Sequence, residues 1–309
     1  MVMHYLGIDV GGTAIKAGLV DETGKLLETG EAPTVIDDLD GFLDKLTELI
    51  RKFQTRVAID AIGIGVPGLH SSRTSLIKTS PNIPCLNNIN LGDMVADQVH
   101  VRVITENDAN AGAYAEFVCG AGVGLQQMAY LTLGTGLGSG LILNGSLFTG
   151  ASGYGGEFGH TVIDRKGRQC SCGNHGCLET LVSATGIVVT AKEKLKDAPE
   201  SVLHDIPGPL TSEMIYQAAT RGDRIAKEVF IETGWCLGIA CATLINLLNL
   251  EMIVLGGGVM ASGDLLLREA KTAAGYYAFT PSILDCQIVQ SKLWPQAGVI
   301  GAAMLARDR

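Results

Sequence analysis

"YLGIDVGGTAIKAGLVDETGKLLETGEA", Tyr5 to Ala32, decides the fold. It reads as strand, glycine turn, strand, "DETGK" turn and strand, an antiparallel meander. Outward from it, "DLDGFLDKLTELIRKF" carries Phe42, Leu46, Leu49, Ile50 and Phe53 at helical spacing. "AIDAIGIGVPG" is a strand running into a turn, "LGDMVADQV" a helix, "VRVITE" a strand and "ANAGAYAEFVCG" a helix. A similar opening returns at "MAYLTLGTGLGSGLILNGSLFTGA", again with glycines between the first two strands. Helices then dominate from Thr180 to Asn249, "EMIVLGGGVM" is a buried strand ending in glycines, and "AGVIGAAMLARD" closes the chain as a helix. Duplicated meanders followed by alternating helices and strands predict two related α/β lobes facing a cleft.

The bulk composition narrows the class. A chain of 309 residues, 47% hydrophobic and 18% charged, can bury a sizeable core. A net charge of -9 without any basic block argues against a nucleic-acid partner. The N-terminal "MVMHYLGIDVGG" enters a strand at once, without the basic head and long apolar run of a secretory signal. The most apolar run, "WCLGIACATLINLLNL", is short of the roughly 20 residues that a membrane span needs and reads as a buried helix. Cys85, Cys119, Cys236, Cys241 and Cys286 are scattered through apolar segments as small core residues, so a reducing cytoplasm is the expected location.

Glycine-rich turns let backbone N–H groups approach phosphate oxygens with no side chain in the way. "DVGGT" adds Asp9 at a strand end and Thr13 beyond Gly11 and Gly12, a set suited to Mg²⁺ and phosphate. "GTGLGSG", with Gly134, Thr135 and Gly136, supplies a second such turn, and Gly256 and Gly257 of "GGG" a third. No G-x-x-x-x-G-K-[ST] is present. "GIGVPG" matches G-x-G-x-x-G, but Pro67 and the following "LHSSRTS" do not open a dinucleotide-binding helix.

"VITENDANAGA" places Glu106, Asn107, Asp108 and Asn110 where a strand passes into a helix, a position at which open α/β sheets bind ligands. Asn and Asp also serve as helix N-caps there. The functional reading makes Asp108 a general base that takes a proton from a substrate hydroxyl and Asn107 a substrate contact. In "CSCGNHGC", Cys170 and Cys172 are too close for an easy mutual disulfide, and no C-x-x-C redox pair occurs. Three cysteines with a nearby histidine fit tetrahedral zinc, and either His160 or His175 can supply the fourth ligand.

"GIDVGGT", "ENDANAGA", "LGTGLGSGLI", "GGEFGH", "CSCGNHGCLE" and "VLGGGVM", in this order and over essentially the whole chain, resemble the ROK family of sugar kinases and regulators. The resemblance implies an actin- and hexokinase-like (ribonuclease H-like) α/β fold of two lobes, with ATP and sugar in the cleft. Residues 1–118 with 295–309 would form the smaller lobe and 119–294 the larger, zinc-bearing one. It implies Asp108 as catalytic base, with Asn107, Glu157, His160 and Glu179 on sugar hydroxyls and Asn82 and Gly68 as further sugar contacts. It also favours His160 over His175 as the zinc ligand beside Cys170, Cys172 and Cys177. That zinc shell is filled by protein ligands and therefore structural. Ala14 stands where many members carry Lys. The implied activity is transfer of a phosphoryl group from Mg·ATP to a hexose, glucose at its 6-hydroxyl first, N-acetylmannosamine or N-acetylglucosamine as alternatives, in a homodimer or homotetramer. Sugar-responsive regulators of the family add an N-terminal helix-turn-helix domain, for which the phosphate motif starting at Gly7 leaves no room.

Overall fold

The computed structural model describes residues 3–309, and Cα packing divides them into two compact units. The first holds residues up to Gln126, Gly140–Gly156 and Lys292–Arg309; the second holds Gln127–Ser139 and Glu157–Ser291.

The meander forms as β1 (His4–Val10), β2 (Ala14–Asp21) and β3 (Leu26–Pro33). Helix α1 (Leu39–Gln54) follows, capped by Asp38, and buries Phe42, Leu46, Leu49, Ile50 and Phe53 as their spacing requires. Then come β4 (Ala61–Val66), the hairpin β5 (Leu69–His70) and β6 (Ile77–Thr79), α2 (Leu91–Val99), β7 (Val103–Asn107) and α3 (Asp108–Cys119). The first sheet has the order β3-β2-β1-β4-β7, with β1, β4 and β7 parallel. Strand β4, "AIGIGV", is buried at every position, as a central parallel strand covered on both faces must be; β3 alternates between half-buried and exposed, as an outer strand does.

The pattern returns in β8 (Met128–Leu133), β9 (Leu137–Leu143) and β10 (Ser146–Phe148). Helices α4 (Glu179–Val182), α5 (Ala184–Leu195), α6 (Ser212–Thr220) and α7 (Arg224–Leu248) lead to β11 (Met252–Gly256). Next are α8 (Asp264–Tyr277), α9 (Thr280–Leu284), β12 (Gln287–Gln290) and α10 (Ala297–Asp308). The second sheet, β10-β9-β8-β11-β12, repeats the strand order of the first, with β8, β11 and β12 parallel. The duplication expected from the two glycine hairpins is therefore present at the level of topology.

Two packing features matter for the site. Helix α10 lies so close to the first sheet that a Cβ on Gly7 or Gly63 would overlap the carbonyl of Val299 or Ala302, and one on Gly301 that of Ala111 in α3. Helix α7 begins at Arg224, eleven residues ahead of the apolar run that announced it, and at 25 residues is long and apolar enough to cross a membrane by length and composition alone. Its Gly234 and Gly238 instead seat it against Leu266, Ala270 and Ala273 of α8. Burial holds the Cys241 and Cys286 thiols up, to about 12 and about 11, which suits inert core residues.

Candidate functional site

In the first unit, the parallel strands β1, β4 and β7 end side by side, with Asp9 opposite Gly65 and Gly65 opposite Glu106. Asp9 is partly buried; loss of hydration pushes its carboxyl above the usual carboxylate range, with Lys16 opposing the shift. The turn beyond it is braced from inside. Gly11 N–H donates to the Ala14 carbonyl at 3.0 Å, Thr34 Oγ1 to the Gly11 carbonyl at 2.7 Å, and Thr34 N–H to the Thr13 carbonyl at 3.1 Å. The Gly11 amide is therefore spent on the hairpin rather than open to a phosphate, while Gly12 and Thr13 are exposed. Asn82 sits beside this turn, its Cβ 3.9 Å from where a Cβ on Gly12 would lie.

Asn107 and Asp108 form the next strand end. Asn107 is the N-cap of α3: its Oδ1 accepts from the N–H groups of Ala109 (2.9 Å) and Asn110 (3.1 Å). Its Nδ2 donates to the Gly68 carbonyl at 3.1 Å, tying the helix start to the turn after β4. So both amide ends of Asn107 have structural work, whatever else it contacts. Asp108, half-buried in the first helical turn, accepts from Ala109 N–H at 2.9 Å and lies where the helix dipole favours a carboxylate.

Three residues here had no role assigned from the sequence. Glu106 is buried and bonded on both carboxylate oxygens, Arg309 pairs with it, and His70 donates from Nε2 to the Val66 carbonyl at 3.0 Å. Burial lowers the His70 imidazole below its ordinary value, with Glu106 opposing. His70, Ser71, Thr105, Glu106, Thr149 and Arg309 line part of a cavity of about 400 Å³ against β7.

In the second unit, the cysteine loop folds back on itself. Val162 bridges to Cys177 and Gln169 to His175, and Gly176, at a φ of 74°, lies so close to the Asp164 carbonyl that a Cβ would overlap it. This brings the ligand atoms of His160, Cys170, Cys172 and Cys177 within 4.8 Å of one another. Cys170 Sγ lies 3.6 Å from His160 Nδ1 and Cys172 Sγ 3.6 Å from Cys177 Sγ. A tetrahedral zinc with bonds of about 2.0–2.3 Å keeps its ligands roughly 3.5–3.8 Å apart, so the donor set fits the ion in type and spacing. Burial and the neighbouring sulfurs push the Cys177 thiol up to about 12, so a thiolate there needs a compensating cation. His175, exposed on the loop, is not among these four ligands.

Glu179, two residues beyond Cys177, joins that cluster to the second glycine turn. Its Oε1 lies 3.6 Å from Cys170 Sγ, and its Oε2 accepts from Leu137 N–H at 2.9 Å, crowding the space over Gly136. The turn itself closes with Gly134 N–H on the Gly136 carbonyl, leaving Thr135 exposed. Gly257, at a φ of 88°, packs on the backbone of Leu133, so the Gly256–Gly257 segment meets the end of the strand that enters this turn. Glu157 and His160 share a short 3-10 turn anchored by Phe158 N–H on Ser139 Oγ at 3.1 Å. Loss of hydration raises the Glu157 carboxyl, His160 opposing and Glu179 adding to the shift.

The family model described as ROK family matches residues 5–309. A glucokinase of Halalkalibacterium halodurans is 37% identical, the match covering 99% of this chain and 95% of that protein. A xylose repressor of Caldicellulosiruptor bescii is 33% identical over 99% of this chain and 79% of its own length. Among solved structures, a ROK family glucokinase from Streptomyces griseus in complex with glucose and AMPPNP superimposes with a TM-score of 0.88 at 32% identity, covering 99% of this chain and all of that one.

Proposed function

This chain belongs to the ROK family, and from that premise we propose that it is a sugar kinase, transferring the γ-phosphoryl group of ATP to a hexose, glucose at its 6-hydroxyl first. The observation that carries the reading is full-length similarity to glucokinases in a chain that sets Asp108 at the start of α3 and Glu179 beside a four-ligand cluster. Asp108 takes the proton of the attacking hydroxyl. Glu157, His160 and Glu179 accept or donate hydrogen bonds to the other hydroxyls, with Asn107, Asn82 and Gly68 as further contacts. The His160 ring turns Nδ1 to the cluster, which leaves Nε2 as its nitrogen for a sugar.

On the nucleotide side, the residues assigned are Gly12, Thr13, Gly134, Thr135, Gly136, Gly256 and Gly257, with Gly11 shaping its turn. Mg²⁺ beside Asp9 would offset phosphate charge, and the raised Asp9 carboxyl suits a nearby cation. Zinc on His160, Cys170, Cys172 and Cys177 would hold the loop closed and, through Glu179, the second turn. Homodimer or homotetramer formation belongs to the same reading. Trp235, Tyr276 and Tyr277 stack edge to face or tilted, and Phe279 and Leu284 beside them are 72% and 78% exposed, a patch suited to burial between subunits. A cytoplasmic location fits the free core thiols.

The test is ATP-dependent ADP release with glucose, mannose, N-acetylglucosamine and N-acetylmannosamine, on protein shown to be folded and zinc-loaded. Release with glucose above the others is expected; preference for an N-acetylhexosamine corrects the substrate, and silence with every sugar refutes the kinase reading. Light scattering on the same sample reads the oligomer.

A further inference from the structure

The junction between β7 and α3 rests on a side chain that the mechanism above does not use. Glu106 immediately precedes Asn107, and its side chain is only 9% exposed. Oε1 accepts from Asn107 N–H and from Asn110 Nδ2, each at 3.0 Å. Oε2 pairs with Arg309 Nη1 at 2.8 Å. One carboxylate thus holds the chain on both sides of Asp108, the residue before it and the residue two after it. Asn110 Oδ1 is buried and meets no protein donor, which leaves the Glu106 bond to orient that amide.

Stability alone is a poor reason for this arrangement. The Arg309 side chain is 44% exposed, so water screens the pair and it adds little, while desolvating the Glu106 carboxylate is costly. What an apolar side chain cannot do is accept from the Asn107 N–H and the Asn110 amide at once. Arg309, at the end of α10, in turn fixes where the carboxylate sits, and α10 is itself pressed against β1, β4 and α3 through Gly7, Gly63 and Gly301.

We propose that Glu106, anchored by Arg309, is a positioning residue: it sets the path of the Asn107–Asp108 backbone and so the reach of the Asp108 carboxylate. The catalytic half of this rests on the reading of Asp108 as the base. Misplacing a reacting group by about 1 Å can cost on the order of 100-fold in rate. Glu106→Ala is therefore expected to lower kcat by about that factor, with the KM for ATP unchanged. Glu106→Gln keeps a carbonyl oxygen for both N–H donors but turns its NH2 toward Arg309 and loses that anchor, so Glu106→Gln and Arg309→Ala both fall between Glu106→Ala and wild type.

Hydrogen–deuterium exchange over residues 103–112 provides the arm that does not depend on activity. Uptake there is expected to be fastest in Glu106→Ala, and faster than wild type but slower than that in Arg309→Ala and Glu106→Gln. Unchanged uptake in both alanine variants overturns the proposal, and so does faster uptake with unchanged kcat. Should Glu106→Ala fail to fold, Arg309→Ala, whose side chain is partly exposed, must by itself show both changes. Wild-type protein that releases no ADP with any sugar, or Asp108→Asn with full turnover, refutes the reading of the site instead; the exchange arm then still decides whether Glu106 pins the junction.

Discussion

The turns at residues 10–14 and 133–137 occupy the same place in two sheets of the same strand order, yet they are held in different ways. The first is braced by its own sheet, through Thr34 at the end of β3. The second is braced by a carboxylate that the cysteine loop carries, Glu179 on Leu137 N–H. Duplication explains the common hairpin, and what differs between the copies explains the rest. The first unit is distinguished by Asp108 at the β7–α3 junction, whose counterpart in the repeat is β12–α10; the second is distinguished by the ligand cluster and its attached Glu179. One copy holds the proposed base and the other the proposed hydroxyl contacts Glu157, His160 and Glu179.

If that division holds, stripping the metal with a chelator, or Cys172→Ala, abolishes sugar binding while the first unit stays folded. Calorimetric titration with glucose beside metal analysis checks it, and unchanged sugar affinity in metal-free protein breaks the comparison. Asp108→Asn should do the opposite: turnover falls by roughly 10²–10⁴-fold, the usual worth of a general base, with sugar still bound. Steady-state kinetics and the same titration separate the two effects.

The braces themselves differ in charge, and their removal should differ in size. Glu179→Ala leaves the Leu137 N–H without its charged partner and is expected to cost about 1.5–3 kcal/mol, against about 1 kcal/mol for Thr34→Val. Urea midpoints on zinc-loaded protein rank them; equal losses would mean that the second turn does not depend on its carboxylate. The smallest effect is a gain. The Asp9 carboxyl is raised in the folded state, so its contribution to stability is greatest below the ordinary carboxylate range and is lost as pH rises through the folded value. Asp9→Asn should therefore be more stable than wild type at pH 7, with the gain vanishing below about pH 4. Melting curves at both pH values test the sign.

How much of this was legible follows from how far apart the interacting residues lie. Alternation and glycine spacing reveal the meanders, because strand, turn and strand are neighbours in the chain. The helical face of α1 is equally local, and three cysteines within eight residues announce a ligand cluster by proximity. The Glu106–Arg309 pair spans 203 residues and the Glu179–Leu137 bond 42, and no periodicity marks either. The Gly11 amide illustrates a different gap. A glycine pair at a strand end suggests open N–H groups, but only the fold shows that one of them closes the hairpin. Likewise Gly140 is pressed against Ala109 and Ala113 of α3, a contact within the first unit that nothing in its sequence neighbourhood signals.

Helix α10 gives the molecule a particular order of assembly. It packs on β1 and β4, strands that precede it by more than 200 residues. During translation the second unit, whose residues all precede Lys292, can fold while the first still lacks its covering helix. The face of β1 and β4 that α10 covers is thus still open to water while the second unit can already be folding.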